Sequence, residues 1–570
     1  MPSREFNKKD NWLVNYFGDK TFIRSYWKIA LPAFLWAIFV SLSPIFATVF
    51  ITSVIPNNIF GNNNATLANI YNYNIFGFSY IDILSVVFVI AGFSIVGNLI
   101  AKKDLVKLNE IMKDILYFSL IISIIITIFM TIYSQNFEKN LFGFSGSYLT
   151  YSSKFLSWSA ISIIFYMLDW YFISSFSSLN LIWIQCFSAV IGFIFYLVVL
   201  GSYSASLHKH DNVNEAINIV KNYAIIYDFW YAIQIIIVFG YCYLPNIYKL
   251  SINNHKLTWI KERNIAYNYF YFLRKFQWSI NWKLVKFYFI YAYWIMLDVS
   301  IWAIADIFSQ IGGVIDPHAG LNEQNQKIYH QIILLCTQYS TYLYIFFNGF
   351  GLITNKFLSI PLGLNEIDDA KQNTKKLFWW GFIIALCLLF FVLIISYELN
   401  MYLIGGINHP YEYWTYQATI NNKTQLTKFT YKQLWDMGFG MSCIYGIYMF
   451  INIMFNNVYY FEVSGNSRLI IFSDAFISVI YAILTWCLIL THNNLNNLFA
   501  WYSLNKSYVL FKLFFGIIII FYEKALNSIN HPNWIFIKFK NKKIDLLKKH
   551  LFDEHNNEHQ VKDNIDNDKY

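Results

Sequence analysis

The sequence predicts an all-α polytopic membrane protein, with twelve transmembrane helices arranged as two parallel six-helix repeats. Hydrophobic residues make up 57% of the 570 residues and charged residues only 13%, about half the charged share of a soluble chain. The apolar residues fall in blocks of about 20, the length of helix that crosses a bilayer. Lysine and arginine concentrate in alternate connections between these blocks. Together these observations exclude a cytosolic enzyme, a secreted disulfide scaffold and a nucleic-acid-binding domain.

Twelve apolar blocks are long enough to be spans. Because backbone groups in lipid must be satisfied internally, each block is a helix or a barrel strand. Barrel strands alternate every second residue, and these runs are continuously apolar, so we predict helices. The predicted spans are residues 29–55, 76–100, 115–133, 155–174, 179–201, 222–244, 284–308, 328–354, 377–396, 433–461, 469–490 and 507–522.

The distribution of basic residues predicts the orientation. With the N-terminus in the cytoplasm, the cytoplasmic segments hold 32 of the 42 lysines and arginines, which leaves 10 for the rest of the chain. If one span had been missed, every later connection would be assigned to the opposite side of the membrane, and most of this excess of basic residues on one side would disappear. We therefore expect both termini in the cytoplasm, and we expect a multi-pass protein of the plasma membrane. The same rule accounts for the net charge of +9 without a nucleic-acid partner.

The longest basic connection divides the chain into two sets of six spans. We predict a cytoplasmic N-terminal segment, an N-terminal six-helix lobe, a basic cytoplasmic linker, a C-terminal six-helix lobe and a polar cytoplasmic tail. These are residues 1–28, 29–244, 245–283, 284–522 and 523–570. The tail is either solvated or a helix lying on anionic lipid.

Three short landmarks recur at similar span positions in the two halves. They are residues 27–32 and 282–287, residues 101–109 and 363–371, and residues 177–180 and 464–467. Each half starts on the same side of the membrane and has an even number of spans. The halves are therefore predicted to be parallel repeats, a construction common in transporters. The alternative is chance similarity between apolar sequences.

Several of these landmarks resemble motifs of the multidrug and toxic compound extrusion (MATE) family, within the superfamily that includes lipid-linked oligosaccharide flippases. The first span opens with Ile-Ala-Leu-Pro-Ala at residues 29–33. Residues 363–371, Gly-Leu-Asn-Glu-Ile-Asp-Asp-Ala-Lys, resemble the loop after the eighth span. Residues 465–468, Gly-Asn-Ser-Arg, resemble the turn before the eleventh span. The resemblance covers residues 20–525.

The sequence also departs from this pattern. Many members carry an aspartate fifteen residues after the first-span proline, where this chain has Ala47. That acid is linked to cation coupling in one branch, so its absence puts that mechanism in doubt. Ala101 replaces a glycine, Phe287 replaces the seventh-span proline, and the outer loop 397–432 is unusually long. The chain resembles a divergent member.

Two acids in the seventh span are the candidate cation-coupling residues. Asp298 lies near the middle of the span, where an ionisable group is costly and therefore a functional candidate. Asp306 follows about 12 Å along the helix and within about 80° of the same face. The resemblance agrees, since some members place a coupling carboxylate in this span. The alternative is an acid satisfied by a neighbouring Tyr or Ser. Six other acids fall near span ends and are interpreted as interfacial or capping residues: Asp82, Asp169, Asp228, Asp436, Glu462 and Asp474.

Pro32 and Pro44 are candidate bends in the first span, because proline removes a helical hydrogen bond. Pro32 also fits as a proline tolerated in the first turn. The six cysteines lie singly in six apolar segments, which predicts neither a metal site nor disulfides. The sequence contains no P-loop, GxSxG or HExxH motif. We therefore expect no enzyme activity and no cofactor other than H⁺ or Na⁺ as the coupling ion.

The resemblance implies a secondary transporter that exports amphipathic organic compounds by alternating access. Three alternatives stay open: a flippase for a lipid-linked precursor on the same fold, a membrane-embedded transferase, and a degenerate relative that no longer transports. The expected partners are membrane lipid and a small-molecule cargo, and the expected state is a monomer.

Overall fold

The computed structural model describes ten continuous stretches of the chain. They are residues 12–54, 105–142, 146–179, 181–207, 213–243, 270–274, 356–364, 366–404, 410–420 and 423–464, with isolated residues between 70 and 101, between 280 and 304, at 352–353 and between 476 and 513. In this part of the chain six helices are long and apolar enough to cross a membrane, and a bent helix pair makes a seventh span. The protein is therefore a multi-pass helical membrane protein.

Seven of the twelve predicted spans are confirmed as membrane-length helices or as the bent pair. The other five predicted spans lie wholly or largely outside the described residues. The helices of the N-terminal half are α1 (Trp12–Phe17), α2 (Lys20–Val54), α3 (Leu105–Phe142), α4 (Gly146–Ser159), α5 (Ser162–Ser178), α6 (Ile182–Ser206) and α7 (Val213–Tyr243), followed by the single turn α8 (Tyr271–Arg274). The C-terminal half contains α9 (Ile367–Ile404), strands β1 (Tyr413–Ile420) and β2 (Lys423–Thr430), and α10 (Tyr431–Ser464).

The helices of the N-terminal half bury polar side chains and expose apolar ones, as expected for a bundle in lipid. Helix α3 shows this most clearly, because Ser119, Ser123 and Glu138 are buried within the bundle. A row of large apolar side chains on the same helix is exposed: Ile121, Ile124, Ile125, Ile128, Phe129 and Ile132. A water-soluble protein would have the opposite arrangement. Lipid tails therefore account for the exposed face.

The fourth span is broken rather than straight. Helices α4 and α5 meet at a bend of 44°. Two backbone bonds at the break reach back only three residues, from Ile163 N–H to the Ala160 carbonyl and from Ile164 N–H to the Ile161 carbonyl. The hydroxyl of Ser162 also donates to the Ser159 carbonyl at 2.6 Å. Serine pairs that bond to the backbone are a known cause of helix kinks.

Both prolines of the first span lie within α2, which continues through Pro32 and Pro44 as one helix. The side chain of Pro32 is half-buried. A functional bend at either proline remains a prediction. Ala47, at the position of the family's first-span acid, is fully buried in the apolar core.

A β-hairpin follows α9 in the connection that the sequence analysis described only as a long loop. Strands β1 and β2 pair antiparallel, with Tyr413 opposite Thr430 and Ile420 opposite Lys423. The hairpin leads directly into α10 through a reciprocal cap. The Thr430 N–H donates to Gln433 Oε1 at 2.9 Å, and the Gln433 N–H donates to Thr430 Oγ1 at 3.2 Å. This capping box satisfies two backbone donors at the start of α10. The hairpin itself adds a small two-stranded sheet to the helical fold.

Candidate functional site

The first element of the candidate site is a buried carboxylate shared by three helices. Asp169 on α5 is almost completely buried and accepts a hydrogen bond from Gln185 Nε2 on α6. Trp36 of α2 flanks the same carboxylate, and its ring meets the ring of Trp170 edge-on at 6.1 Å. A buried carboxylate with one side-chain donor carries a large desolvation cost. Asp169 is therefore a polar centre inside the bundle.

Asp228 is the second buried carboxylate, and it lies at the middle of a membrane-crossing helix. The membrane-length part of α7 runs from Ile217 to Cys242, and Asp228 is close to its midpoint. The carboxylate faces the backbone N–H of Ser162, the first residue of α5. Its Oδ1 atom is buried and has no hydrogen-bond partner among the described residues. A helix N-terminus attracts negative charge, so the break in the fourth span creates the environment that holds this acid.

Both carboxylates meet helix α5: Asp169 belongs to it, and Asp228 of α7 faces its first residue, Ser162. Ser162 and Asp169 are seven residues apart on α5, which places them about 10 Å apart along the axis and on nearly the same side. Further polar side chains line the bundle beside them. Gln234 of α7 is fully buried, and neither of its amide atoms has a partner among the described residues. The Cγ atom of Gln234 lies close to Gly192 of α6, and a Cβ added at Gly192 would lie 2.8 Å from it. A residue larger than glycine therefore does not fit at this position.

The interpretation of Asp169 and Asp228 as interfacial residues is wrong, because both side chains are buried, whereas Asp228 does face the first backbone N–H of α5, as a capping residue would. Asp436, in contrast, is exposed at the start of α10. The sequence-predicted coupling residues Asp298 and Asp306 lie outside the described residues, so their role stays a prediction. Among the described residues, no group of three or more His, Cys, Asp or Glu is placed to hold a metal ion.

An aromatic cluster joins the two halves at the ends that the charge count places in the cytoplasm. We call it the cytoplasmic latch: Tyr16, Phe17, Phe22, Tyr26 and Trp27 from α1 and α2, with Phe357, Trp379 and Trp380 from the C-terminal half. Trp380 Nε1 donates to the carbonyl of Phe17 at 3.0 Å. Tyr26 is fully buried and stacks on Trp380 at 5.2 Å. Aromatic pairs of this kind add stability beyond the area they bury, so the latch holds the halves together.

The turn between α1 and α2 positions the latch. Gly18 has φ +87°, and a Cβ there would lie 2.5 Å from the ring of Phe22. Asp19 then caps α2, because its carboxylate accepts from the hydroxyl of Thr21 and from the backbone N–H of Phe22. These hydrogen bonds lower the pKa of Asp19, and the ammonium of Lys376 adds to the effect. The same ammonium lies 5.1 Å from the ring centre of Phe22.

Two further contacts join the two halves at the same ends. Gly97, before the connection to α3, touches Ser359 so closely that an added Cβ would lie 2.5 Å from the Ser359 Cβ. Phe118 on α3 packs edge-on against Trp282 at 6.2 Å and against Phe289 at 5.8 Å. Glycine permits the first of these approaches because it has no side chain. The latch and both contacts lie at the ends that the charge count predicts to be cytoplasmic, so the described residues of the two halves are in contact there.

We expect Lys356 to make the contact between the two halves sensitive to pH. Burial and the neighbouring charge of Lys28 lower the pKa of Lys356 to about 8. When the ends separate, Lys356 regains water and its ordinary pKa of about 10.4. The separated state then binds more protons than the closed state. The free energy of closure therefore becomes more favourable as the pH rises through about 8, and this increase is complete above about 10.4.

We expect the distance between spin labels at Arg24 and Lys375, both exposed, to shorten on average between about pH 7 and about pH 9. In Lys356→Met this dependence should disappear, and the closed distance should dominate at both pH values. Lys283→Met removes an exposed lysine and should leave the dependence intact. An unchanged pH dependence in Lys356→Met would contradict the assignment.

Solved structures of known proteins share this architecture. The eukaryotic MATE transporter AtDTX14 aligns with a TM-score of 0.61 over 90% of this chain and 99% of its own, at 12% sequence identity. The chain has a MATE-like fold. A MOP superfamily transporter from Pyrococcus furiosus, whose binding pocket is described as having reverse polarity, aligns at 0.56 and 12% identity over 90% of this chain and 98% of its own.

A third structure, a multidrug resistance MATE family transporter in an inward-facing conformation, aligns at 0.52 and 11% identity, over 87% of this chain and 99% of its own. No family model matches the sequence, and no curated protein sequence matches it. The similarity is therefore in the MATE-like fold rather than in the sequence. The buried carboxylates Asp169 and Asp228 lie on α5 and α7, in the N-terminal half of the chain.

Proposed function

We propose that the chain is a secondary active transporter rather than an enzyme, and that it exports amphipathic organic compounds by alternating access. The observation that carries this proposal is Asp228, a buried carboxylate in the middle of a membrane-crossing helix with one oxygen unpartnered among the described residues. An ionisable group at that depth is costly and is characteristic of ion pathways and proton relays. The MATE-like fold supports the same function.

The position of Asp228 links ion binding to a conformational change. Protonation, or Na⁺ bound to the carboxylate, weakens the attraction between Asp228 and the N-terminus of α5, since that attraction depends on negative charge. The break between α4 and α5 therefore responds to the coupling ion. Asp169 lies on the same face of α5 and links it to α2 and α6. Movement of α5 is in this way transmitted to α2, whose beginning forms part of the cytoplasmic latch.

The cytoplasmic closure supports assignment of this structure to the outward-facing state of the cycle. Export requires a second state in which the latch and the Gly97–Ser359 contact separate and cargo enters from the cytoplasm. We propose H⁺ or Na⁺ as the coupling ion and no other cofactor. Asp298 and Asp306 are proposed as additional coupling residues in the C-terminal lobe. We also propose a monomer in the plasma membrane, with both termini in the cytoplasm.

The test is transport by the purified protein in proteoliposomes with ethidium as a fluorescent organic cation. An imposed pH gradient or Na⁺ gradient should drive ethidium movement that protein-free liposomes do not show. Asp298→Asn should reduce gradient-driven movement if the C-terminal acid takes part in coupling, and full movement in that variant would remove Asp298 from the proposal. Ethidium movement that is the same with and without either gradient would contradict coupled transport.

A further inference from the structure

A separate polar cluster lies at the outer end of α3. Glu138 is fully buried there, and its Oε2 accepts a hydrogen bond from Ser152 Oγ of α4 at 2.6 Å. The same hydroxyl accepts from Asn74 Nδ2 at 3.0 Å. All three residues are fully buried. Three separate helical segments therefore bring their polar side chains together around one serine hydroxyl.

Two oxygen atoms of this cluster are left over. Glu138 Oε1 and Asn74 Oδ1 are both buried, and neither has a hydrogen-bond partner among the described residues. The lysines nearest in sequence, Lys139 and Lys154, are exposed rather than turned into the cluster. An uncompensated buried carboxylate is strongly destabilising. The two free acceptors beside one negative charge thus have the chemistry of a cation site.

Buried aromatic residues surround the cluster on the sides that the structure describes. Tyr71, one helical turn before Asn74, is buried and shares a hydrogen bond with Tyr196, the two hydroxyls lying 2.7 Å apart. The ring of Phe155, one turn after Ser152, meets Tyr71 edge-on at 5.8 Å. In such a low-dielectric environment the attraction between a carboxylate and a cation is much stronger than in water.

We propose that Glu138, Asn74 and Ser152 bind a small monovalent cation such as Na⁺. One carboxylate balances one positive charge, and the amide and hydroxyl oxygens complete a set of hard oxygen ligands. A divalent ion is less suitable, because Ca²⁺ takes six to eight oxygens and several carboxylates. The bound ion joins the outer ends of three helices of the N-terminal half.

This site is distinct from the carboxylates of the transport proposal and does not depend on that proposal. Ser152 precedes Ser162 by ten residues, which is about 15 Å along the fourth span. The site involves neither Asp169 nor Asp228. A cation there stabilises the outer part of the N-terminal half whether or not the chain moves cargo.

The experiment measures equilibrium binding of ²²Na⁺ to the purified full-length protein at constant pH and ionic strength, with choline as the replacing cation. Wild type should bind Na⁺ saturably. Glu138→Gln keeps the size of the side chain and removes its charge, and it should remove one bound Na⁺ per chain, whereas any Na⁺ bound at Asp228 should remain. Ser152→Ala should weaken the binding of that one ion, and Glu398→Gln, which changes an exposed acid on α9, should leave it unchanged.

Two outcomes overturn the proposal. The first is a wild type that binds no Na⁺, which indicates a protonated Glu138 instead. The second is a number of bound Na⁺ per chain that is the same in Glu138→Gln as in wild type, and loss of that ion in Asp228→Asn would assign it to the middle of the bundle. If Glu138→Gln fails to fold, as judged by size-exclusion chromatography, weakened binding in Ser152→Ala supports the site and unweakened binding overturns it.

Discussion

Substitution of Asp228 by asparagine should uncouple ethidium movement from the ion gradient. Asparagine keeps an oxygen that can accept from the Ser162 N–H, but it carries no charge and takes up no proton. Coupling free energies of typical size correspond to a loss of about 5- to 150-fold, and we expect gradient-driven transport in proteoliposomes to fall by that factor. Binding of ethidium to the purified variant should persist, because the substitution preserves the shape of the side chain.

The matched control for this prediction is Asp436→Asn. Asp436 is exposed at the start of α10, so the same chemical change there should leave transport at the wild-type rate. Gradient-driven transport that survives in Asp228→Asn would contradict the role of this carboxylate. Loss of transport in both variants would show that the effect is not specific to the buried acid.

Enlarging Gly97 should separate the two halves at the ends joined by the latch. A Cβ at this position would lie 2.5 Å from the Ser359 Cβ, a distance that side-chain rotation cannot relieve because both atoms are attached directly to the backbone. Overpacking of this kind typically costs about 1–3 kcal/mol. We expect Gly97→Ala to lengthen the distance between spin labels at Arg24 and Lys375 and to populate the cytoplasm-open state.

The chain offers a rescue and a control for this prediction. Ser359→Gly removes the opposing Cβ, so the double variant Gly97→Ala/Ser359→Gly should recover the closed distance. Gly240 on α7 has open space where a Cβ would be added, and Gly240→Ala should leave the distance unchanged. A Gly97→Ala protein with the wild-type distance would show that this contact does not limit closure.

Hydropathy predicts the lipid-facing lengths of these helices but not where they begin and end. The apolar run of the sixth span begins near residue 222, so Asp228 seemed to lie close to its outer end. Helix α7 in fact begins at Val213, and its first turns contain polar residues such as Asn218 and Lys221. Asp228 is therefore in the middle of the helix. The polar start of α7 carries no hydropathy signal, and burial depends on neighbouring helices.

The cluster of Glu138, Ser152 and Asn74 was not predicted either, because hydropathy does not show where the helices that carry it begin and end. Glu138 and Ser152 fall between two apolar runs and were assigned to a connection, whereas α3 continues to Phe142 and α4 begins at Gly146. The partner Asn74 comes from a different helical segment, and contacts over such separations leave no local pattern. The serine-containing break of the fourth span was also unpredicted, because the sequence there has neither proline nor glycine.

The fold class and the membrane character were predictable because they depend on composition, block length and charge distribution. The MATE-like fold was predictable from short structural landmarks, such as residues 29–33 and 363–371, that recur where helices begin or turn. The hairpin β1–β2 was not predicted, since one isolated antiparallel pair of eight-residue strands resembles any other polar connection in a hydropathy profile.

The latch also has a consequence for how the protein is made. Phe17 and Trp380 are joined by a hydrogen bond across 363 positions of the chain. A ribosome adding roughly 5–20 residues per second needs about 20–70 s to cover that length. During this interval α1 has left the ribosome without its aromatic partners on α9. The N-terminal helix can therefore dock only after α9 has been synthesised, so this contact between the halves forms late in the synthesis of the chain.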